Sequence, residues 1–381
     1  MIIPREHGMV RLYVQLDEEA AQAAKGDDPS ATLSAAQRIM APFAFDTKSI
    51  YWSSTYRIQQ LLASSYSDSE HRIFLMGDAA HTHSPKAGMG LNMSVQDAYN
   101  LSWKLAAVIN KQATPHFLAT YESERRPLAA CLLEFDRDFN TLFHAPLSRT
   151  TRDQYKALII DAIDTESGDI SGVSAQYIDQ HILQEPAYRR QDLAAKIPLG
   201  RRIPPGLIVN HADGRAKDLH EILPSTGQWT LCVFPGDLRI PAGAAKFAKL
   251  GQELEGPGSI LRAFLGPLSR SSSSMLQVLT IHKSPRHEIN LLDLPAVFHP
   301  WDDELGWDYD KVYTDEKAYQ RPEETGHLYE TWGIGQKGCV MLLRPDRHVC
   351  MITGVEEAPE LCRRYLRNWL YESDRRDSLS P

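Results

Sequence analysis

Asp78 closes a hydrophobic run over residues 72–76 in a Gly77-Asp78 turn, and Gly88 and Gly90 follow shortly after it. A carboxylate at a strand end can accept hydrogen bonds from a ligand's hydroxyls. Glycines let a ligand's polar edge approach the backbone, and free N–H groups at a helix N-terminus stabilise negative charge. Beyond the glycines, apolar residues recur at Leu91, Val95, Ala98, Leu101, Leu105 and Val108. Spacings of three and four predict a helix with these residues on its buried face. The pattern describes one half of a cofactor site. A strand–turn–helix whose aspartate caps the helix fits the same residues as well.

Other residues carry chemistry near the start. Residues 8–17, GMVRLYVQLD, alternate polar and apolar side chains and predict a strand with one wet face. Arg11 and Tyr13 have the same parity there, so they share a face. A guanidinium and a phenol together suit an anionic or polar aromatic ligand. A surface arginine and a sheet-packing tyrosine are the plain alternative. His81 and His83 alternate along an extended segment, but no third ligand has the spacing for a metal ion. Packed, hydrogen-bonded histidines and no metal are expected, and Lys86 reads as a solvated lysine.

The elements that must position these residues belong to a chain of 381 residues, for which two domains are expected. A hydrophobic fraction of 43% and a charged fraction of 24% are those of a soluble globular protein. The net charge of −8, without a long basic block, speaks against nucleic acid. No apolar run approaches the ~20 residues of a membrane span. MIIPREHGMV lacks the apolar core of a signal peptide, so a cytoplasmic location is expected. Cys131, Cys232, Cys339, Cys350 and Cys362 form no C-x-x-C and predict reduced, partly buried thiols.

Residues 34–40 have helical composition, and residues 43–56 are aromatic and predict a strand. A long helix starts at Phe117, with a kink or break at Pro127. Residues 146–195 are polar and weakly patterned. From about residue 197 short β-like runs appear: WTLCVFPG, LQVLTIH, KVYTD, KGCVMLLRPD and HVCMITG. PAGAAKFAKLGQEL lies as a helix between the first two, and APELCRRYLRNWLY reads as a terminal helix. The order β-α-β then β-β-α matches a thioredoxin-like domain. A redox motif would fall at PGDLR, which has no cysteine, so no thiol–disulfide chemistry is expected. RSSSS, residues 270–274, predicts a mobile loop.

Residues 72–105, RIFLMGDAAHTHSPKAGMGLNMSVQDAYNLSWKL, resemble the second flavin-contacting motif of the single-component flavoprotein aromatic hydroxylases. That pattern is a strand, GDAAH, a proline, G-x-G-x-N and a helix ending near W-K-L. Gly77, Asp78, Ala79, Ala80, His81, Pro85, Gly88, Gly90, Asn92, Trp103, Lys104 and Leu105 carry it. IIPREHGMVRLYVQL and WGIGQKGCVMLLRPD (residues 332–346) point to the phenol 2-monooxygenase branch, so the resemblance covers essentially the whole chain.

The resemblance implies an α/β (α+β) chain. Residues 1–70 would be a remnant of the substrate-binding sheet and 71–145 the C-terminal part of an FAD domain. A linker or docking segment over 146–195 would lead to a thioredoxin-like domain over 196–381, which the family links with homodimerisation. The implied activity is hydroxylation of a phenolic substrate with FAD, NADPH as reductant and molecular oxygen. By resemblance Asp78 contacts the ribityl chain, and the backbone of Gly88, Met89, Gly90, Leu91 and Asn92 faces the isoalloxazine. Tyr13 and Arg5 take catalytic places at the flavin and substrate, with Arg5 and Arg11 binding substrate.

The chain departs from the family pattern in places. No G-x-G-x-x-G follows a strand. The D-G motif and an acidic residue that helps activate phenol are missing. Leu61, after Trp52, Tyr56 and Gln60, stands where relatives often have arginine. The expectation is a chain that is either truncated or relies on a separate N-terminal half. The alternative is a non-catalytic remnant, or a dimerisation or accessory subunit.

Overall fold

The computed structural model describes residues 2–16, 21–22, 29–55, 58–85, 88–144, 156–157, 160, 175–178, 183–265 and 275–372. The segment read as a linker falls mostly outside this set, and Tyr56, Lys86 and residues 270–274 fall wholly outside it. The chain forms two compact units, Met1–Gln59 and Gln60–Pro381.

In the first unit β1 (Ile2–Pro4) and β2 (Val10–Leu12) form an antiparallel hairpin in which Ile3 faces Arg11. Helix α1 spans Ser30–Met40, four residues longer at its start than its composition suggested. The strand expected over 43–56 does not form among the described residues 43–55. Phe43, Tyr51 and Trp52 are exposed there. Their β-propensity describes a fit to a half-buried sheet surface, and no strand pairs with them.

The second unit opens with β3 (Leu61–Leu62) antiparallel to β4 (His81–Thr82). Between them the strand expected over 72–76 is reduced to a single bridge, Phe74 to Ser67. The Asp68 carboxylate accepts from the N–H groups of Arg72 and Ile73 at 2.7 and 2.8 Å. Those two donors are therefore lost to any ladder. Helix α2 (Gly90–Ile109) and helix α3 (Thr120–His144) follow. Helix α3 continues through Pro127, so the expected break does not occur.

The rest is a seven-stranded sheet with its helices. Its elements are β5 (Leu207–Asn210), β6 (Ala216–Asp218), the short α4 (Leu219–Ile222), β7 (Trp229–Phe234), α5 (Pro241–Glu255), α6 (Ile260–Leu265) and β8 (Leu276–His282). A small hairpin, β9 (Trp301–Asp302) and β10 (Gly306–Trp307), stands apart from it. Then come β11 (Val312–Thr314), α7 (Leu328–Trp332), β12 (Cys339–Leu343), β13 (Val349–Thr353) and α8 (Ala358–Leu366). The sheet order is β13-β12-β7-β8-β11-β5-β6. Strands β7 and β8 are parallel across α5, and β12 is antiparallel to both β7 and β13. This is the β-α-β then β-β-α order read from the sequence, widened at one edge by β11, β5 and β6.

Strands β7, β12 and β13 are buried along their whole length, which is why they read as continuous apolar runs. Parity sorts their side chains between two cores. Trp229, Leu231 and Val233 face Phe247 and Leu250 of α5 and Leu366 of α8. Cys232 and Phe234 face Tyr329 and Trp332 of α7. Helix α2 joins the first core through Trp103, edge-on to Trp229 at 6.0 Å and to Phe117 at 5.2 Å. Each such pair adds about 0.5–1.5 kcal/mol beyond area burial. Cys131 is exposed, and the other four cysteines are buried and unpaired.

Candidate functional site

The Gly77–Ala79 turn is a single 3-10 turn packed on α2. Gly77 has φ +57, and a Cβ there would sit 2.9 Å from Ser94 Oγ on α2. Both the left-handed backbone and the close approach require glycine. Asp78 follows at the exposed surface. Its carboxylate forms no hydrogen bond or ion pair among the described residues. An acceptor left free in this way is open to a ligand's hydroxyl groups.

The N-terminus of α2 is equally open. Gly88 has φ +70, no heavy atom lies within 4 Å of a Cβ built on it, and its N–H goes to Pro85 O at 3.2 Å. Met89 precedes the helix without a capping side chain. Met93 N–H reaches Met89 O at 3.1 Å. The N–H groups of Gly90, Leu91 and Asn92 have no partner among the described residues. Leu91 and Asn92 are exposed, while Met89 is buried. N–H groups at a helix start favour an anion by about 0.3–2 kcal/mol from the dipole.

The buried face of α2 differs from the one the apolar spacing gave. Leu91 is 76% exposed and Val95 58%, whereas Met93, Asp97, Asn100, Leu101, Lys104 and Ala107 are buried. The helix thus turns ionisable side chains inward. Asp97 meets His81 and Arg125, and His83 Nδ1 lies 2.9 Å from Ser84 O.

A second buried cluster ties α2 and α3 to the sheet. Arg344 donates from both terminal nitrogens to Glu124 at 2.7 and 2.8 Å, and to Asp346 at 2.5 Å. Lys104 Nζ lies 3.0 Å from Glu124 as an ion pair out of hydrogen-bond alignment. The Arg344 guanidinium sits over the Trp103 and Tyr177 rings, and Tyr177 stacks on His348 at 4.4 Å. Burial pushes the Lys104 ammonium down to about 8, although Glu124 pulls the other way. Burial alone would raise the Glu124 carboxyl, but Arg344 and Lys104 hold it below its usual range. Asp97, Asn100, Glu124 and Arg344 were not singled out from the sequence, and Lys104 was read only as part of the family pattern. The signal was there, since Asp97, Asn100 and Lys104 repeat at the same three-and-four spacing as the apolar residues.

In the first unit Arg11 and Tyr13 do share a face, with Arg11 Nη1 3.4 Å from Tyr13 Oη. Arg11 is exposed and Tyr13 half-buried. Arg5 is joined to Glu6 at 3.1 Å.

Residues 1–136 match the family described as FAD binding domain, and residues 175–374 match phenol hydroxylase, C-terminal dimerisation domain. The chain belongs to the FAD-dependent aromatic hydroxylases. Phenol 2-monooxygenase fsqG of Aspergillus fumigatus is 36% identical over 95% of this chain and 59% of its own length. The 3-hydroxybenzoate 4-monooxygenase of Comamonas testosteroni is 31% identical over 92% of this chain and 57% of its own. The chain thus spans less than two thirds of the length of these relatives. The solved structure of BexE, studied for oxidation during BE-7585A biosynthesis, shares the fold. It has a TM-score of 0.54 at 20% identity, over 96% of this chain and 58% of that one. No helix among the described residues is long and apolar enough to cross a membrane.

Proposed function

We propose that the chain forms the flavin-ring side of the cofactor site and the dimerisation domain of an FAD-dependent monooxygenase that hydroxylates a phenolic ring, with NADPH as reductant. The carrying observation is the set of N–H groups at Gly90, Leu91 and Asn92 that have no partner among the described residues, on the same helix that seats the Asp78 turn. These donors and this acceptor fit FAD. When bound, FAD supplies the redox chemistry with oxygen.

The chain's own residues bind, orient and stabilise charge. Asp78 accepts hydrogen bonds from the ribityl hydroxyls. With FAD bound, the amides of Gly90, Leu91 and Asn92 would donate toward the ring and stabilise negative charge on it. Gly88 and Met89 let the backbone approach. Arg11 supplies positive charge for a phenolate, Tyr13 a hydrogen bond, and Arg5 a second cation tempered by Glu6. Two relatives named for phenolic substrates support that class. The match to a dimerisation domain supports a homodimer.

The test is a titration of FAD with the purified full chain, alone and co-expressed with the nucleotide-binding half of a relative. Quenching of flavin fluorescence, with NADPH consumption that rises on adding phenol, is the expected result. Unchanged fluorescence in both arms removes the reading.

A further inference from the structure

We propose that Asp97 is a positioning residue that fixes the turn bearing Asp78 against α2; the proposal rests on the cofactor reading above and deepens it. Asp97 lies roughly two turns along α2 from Gly90 and is fully buried, so it touches no ligand itself. Its Oδ2 accepts from the Gly77 N–H at 3.0 Å and lies 2.7 Å from His81 Nε2. One carboxylate oxygen therefore holds both ends of the segment 77–81, and Asp78 is carried between them.

The remaining oxygen, Oδ1, accepts from Arg125 Nε of α3 at 2.7 Å. That guanidinium also reaches Gln96 Oε1 at 3.1 Å. Burial would raise the Asp97 carboxyl, but the His81 bond and the Arg125 charge outweigh it and keep it below its usual range. The acceptor therefore stays ionised, and a charged acceptor binds a backbone N–H more strongly than a neutral one. Ser94, against which Gly77 is seated, stands one turn before Asp97 on the same helix. The turn is thus gripped sterically at Ser94 and electrostatically at Asp97. The helix that presents the three free amides also sets where the Asp78 carboxylate lies.

A core ion pair between α2 and α3 would need none of this coupling, and the two roles separate by experiment. Asp97→Asn keeps the shape but loses the charge. Glu124→Gln, in the other buried cluster, serves as a destabilised control. In the full chain, FAD affinity is read by fluorescence titration and local opening by amide hydrogen exchange without flavin. Asp97→Asn is expected to weaken FAD about tenfold or more and to speed exchange over 77–81 by a similar factor. Glu124→Gln is expected to leave FAD affinity near wild type and to raise exchange evenly over the molecule, with no excess over 77–81. Equal FAD affinity in Asp97→Asn and Glu124→Gln, or exchange in Asp97→Asn that rises evenly over the molecule, overturns the proposal. If the wild-type chain binds no FAD, the cofactor reading fails, and the exchange pattern over 77–81 alone decides the role of Asp97. Should Asp97→Asn not fold, His81→Gln, which frees only the far end of the segment, is read in the same way.

Discussion

Asp78 is the residue on which the proposed cofactor contact is most directly tested. Its carboxylate is exposed and makes no bond of its own among the described residues, so removing it disturbs nothing in the fold. Asp78→Ala is expected to change unfolding free energy by under about 0.5 kcal/mol, as for surface substitutions away from special features. If the side chain accepts from flavin hydroxyls, the same variant loses about 1.5–3 kcal/mol of binding, roughly 10- to 100-fold in Kd. Denaturant unfolding and FAD titration of one preparation give both numbers. A variant that binds FAD like wild type takes Asp78 out of the site. What was legible in the sequence is the turn itself, a Gly-Asp pair before a Gly-rich helix start. Asp97 was not, because a polar residue in QDAYNLSWKL reads as the wet side of an amphipathic helix until its partners are seen. His81, Arg125 and the Gly77 N–H come from elements far apart in sequence, and no local pattern announces their convergence.

Helix α2 shows what periodicity can and cannot give at the scale of elements. Its existence and length follow from the repeat, but its rotation does not, since Leu91 and Val95 ended exposed and Lys104 buried. The sheet strands were easier to read. Runs such as WTLCVF and CVMLL are buried on both faces and carry no alternation to misread. The 72–76 segment failed as a strand because Asp68 takes two of its donors, a side-chain competition that apolar content does not reveal. The inward turn of α2 has an energetic consequence at Glu124. Lys104 and Arg344 are both fully buried against this carboxylate, and Asp346 alone cannot balance two cations. Removing one partner of a buried pair costs about 3–5 kcal/mol because a charge is left uncompensated. Glu124→Gln is therefore expected to lower the unfolding free energy by about that much, measured by denaturant titration. The pair Glu124→Gln with Lys104→Met restores charge balance and should recover part of the loss. A single variant within about 1 kcal/mol of wild type would show that water or relaxation screens the cluster.

At the scale of the whole molecule, a buried histidine pair makes stability sensitive to acid. His211 Nδ1 lies 2.9 Å from His282 Nε2. His211 Nε2 faces the Ile289 carbonyl at 3.1 Å, so that nitrogen must donate. Ser284 N–H points at His282 Nδ1 at 3.2 Å, so that nitrogen must accept. One arrangement satisfies every contact: both rings neutral, with His282 Nε2–H donating to His211 Nδ1. A further proton has no acceptor to occupy on either ring. Burial depresses both groups, His282 to about 3, with the neighbouring ring adding to the effect on His282. Asp237 near His282 and Glu316 near His211 pull upward without outweighing burial. The sign follows from the proton count. Below the ordinary histidine value of about 6.5 the unfolded chain binds protons that the folded chain refuses, so stability falls as pH falls. Each group contributes about 1.4 kcal/mol per pH unit, so His282 alone removes about 3 kcal/mol between pH 6.5 and pH 4. Carboxylates titrate in the same window, and the comparison must therefore be between wild type and His282→Gln. Unfolding free energies measured from pH 7.5 to pH 4 should drop more steeply for wild type, so that the two curves converge as the medium becomes acidic. Parallel curves would mean that the pair already accepts a proton within the fold, and that the neutral arrangement deduced from Ile289 and Ser284 is not the one the protein holds.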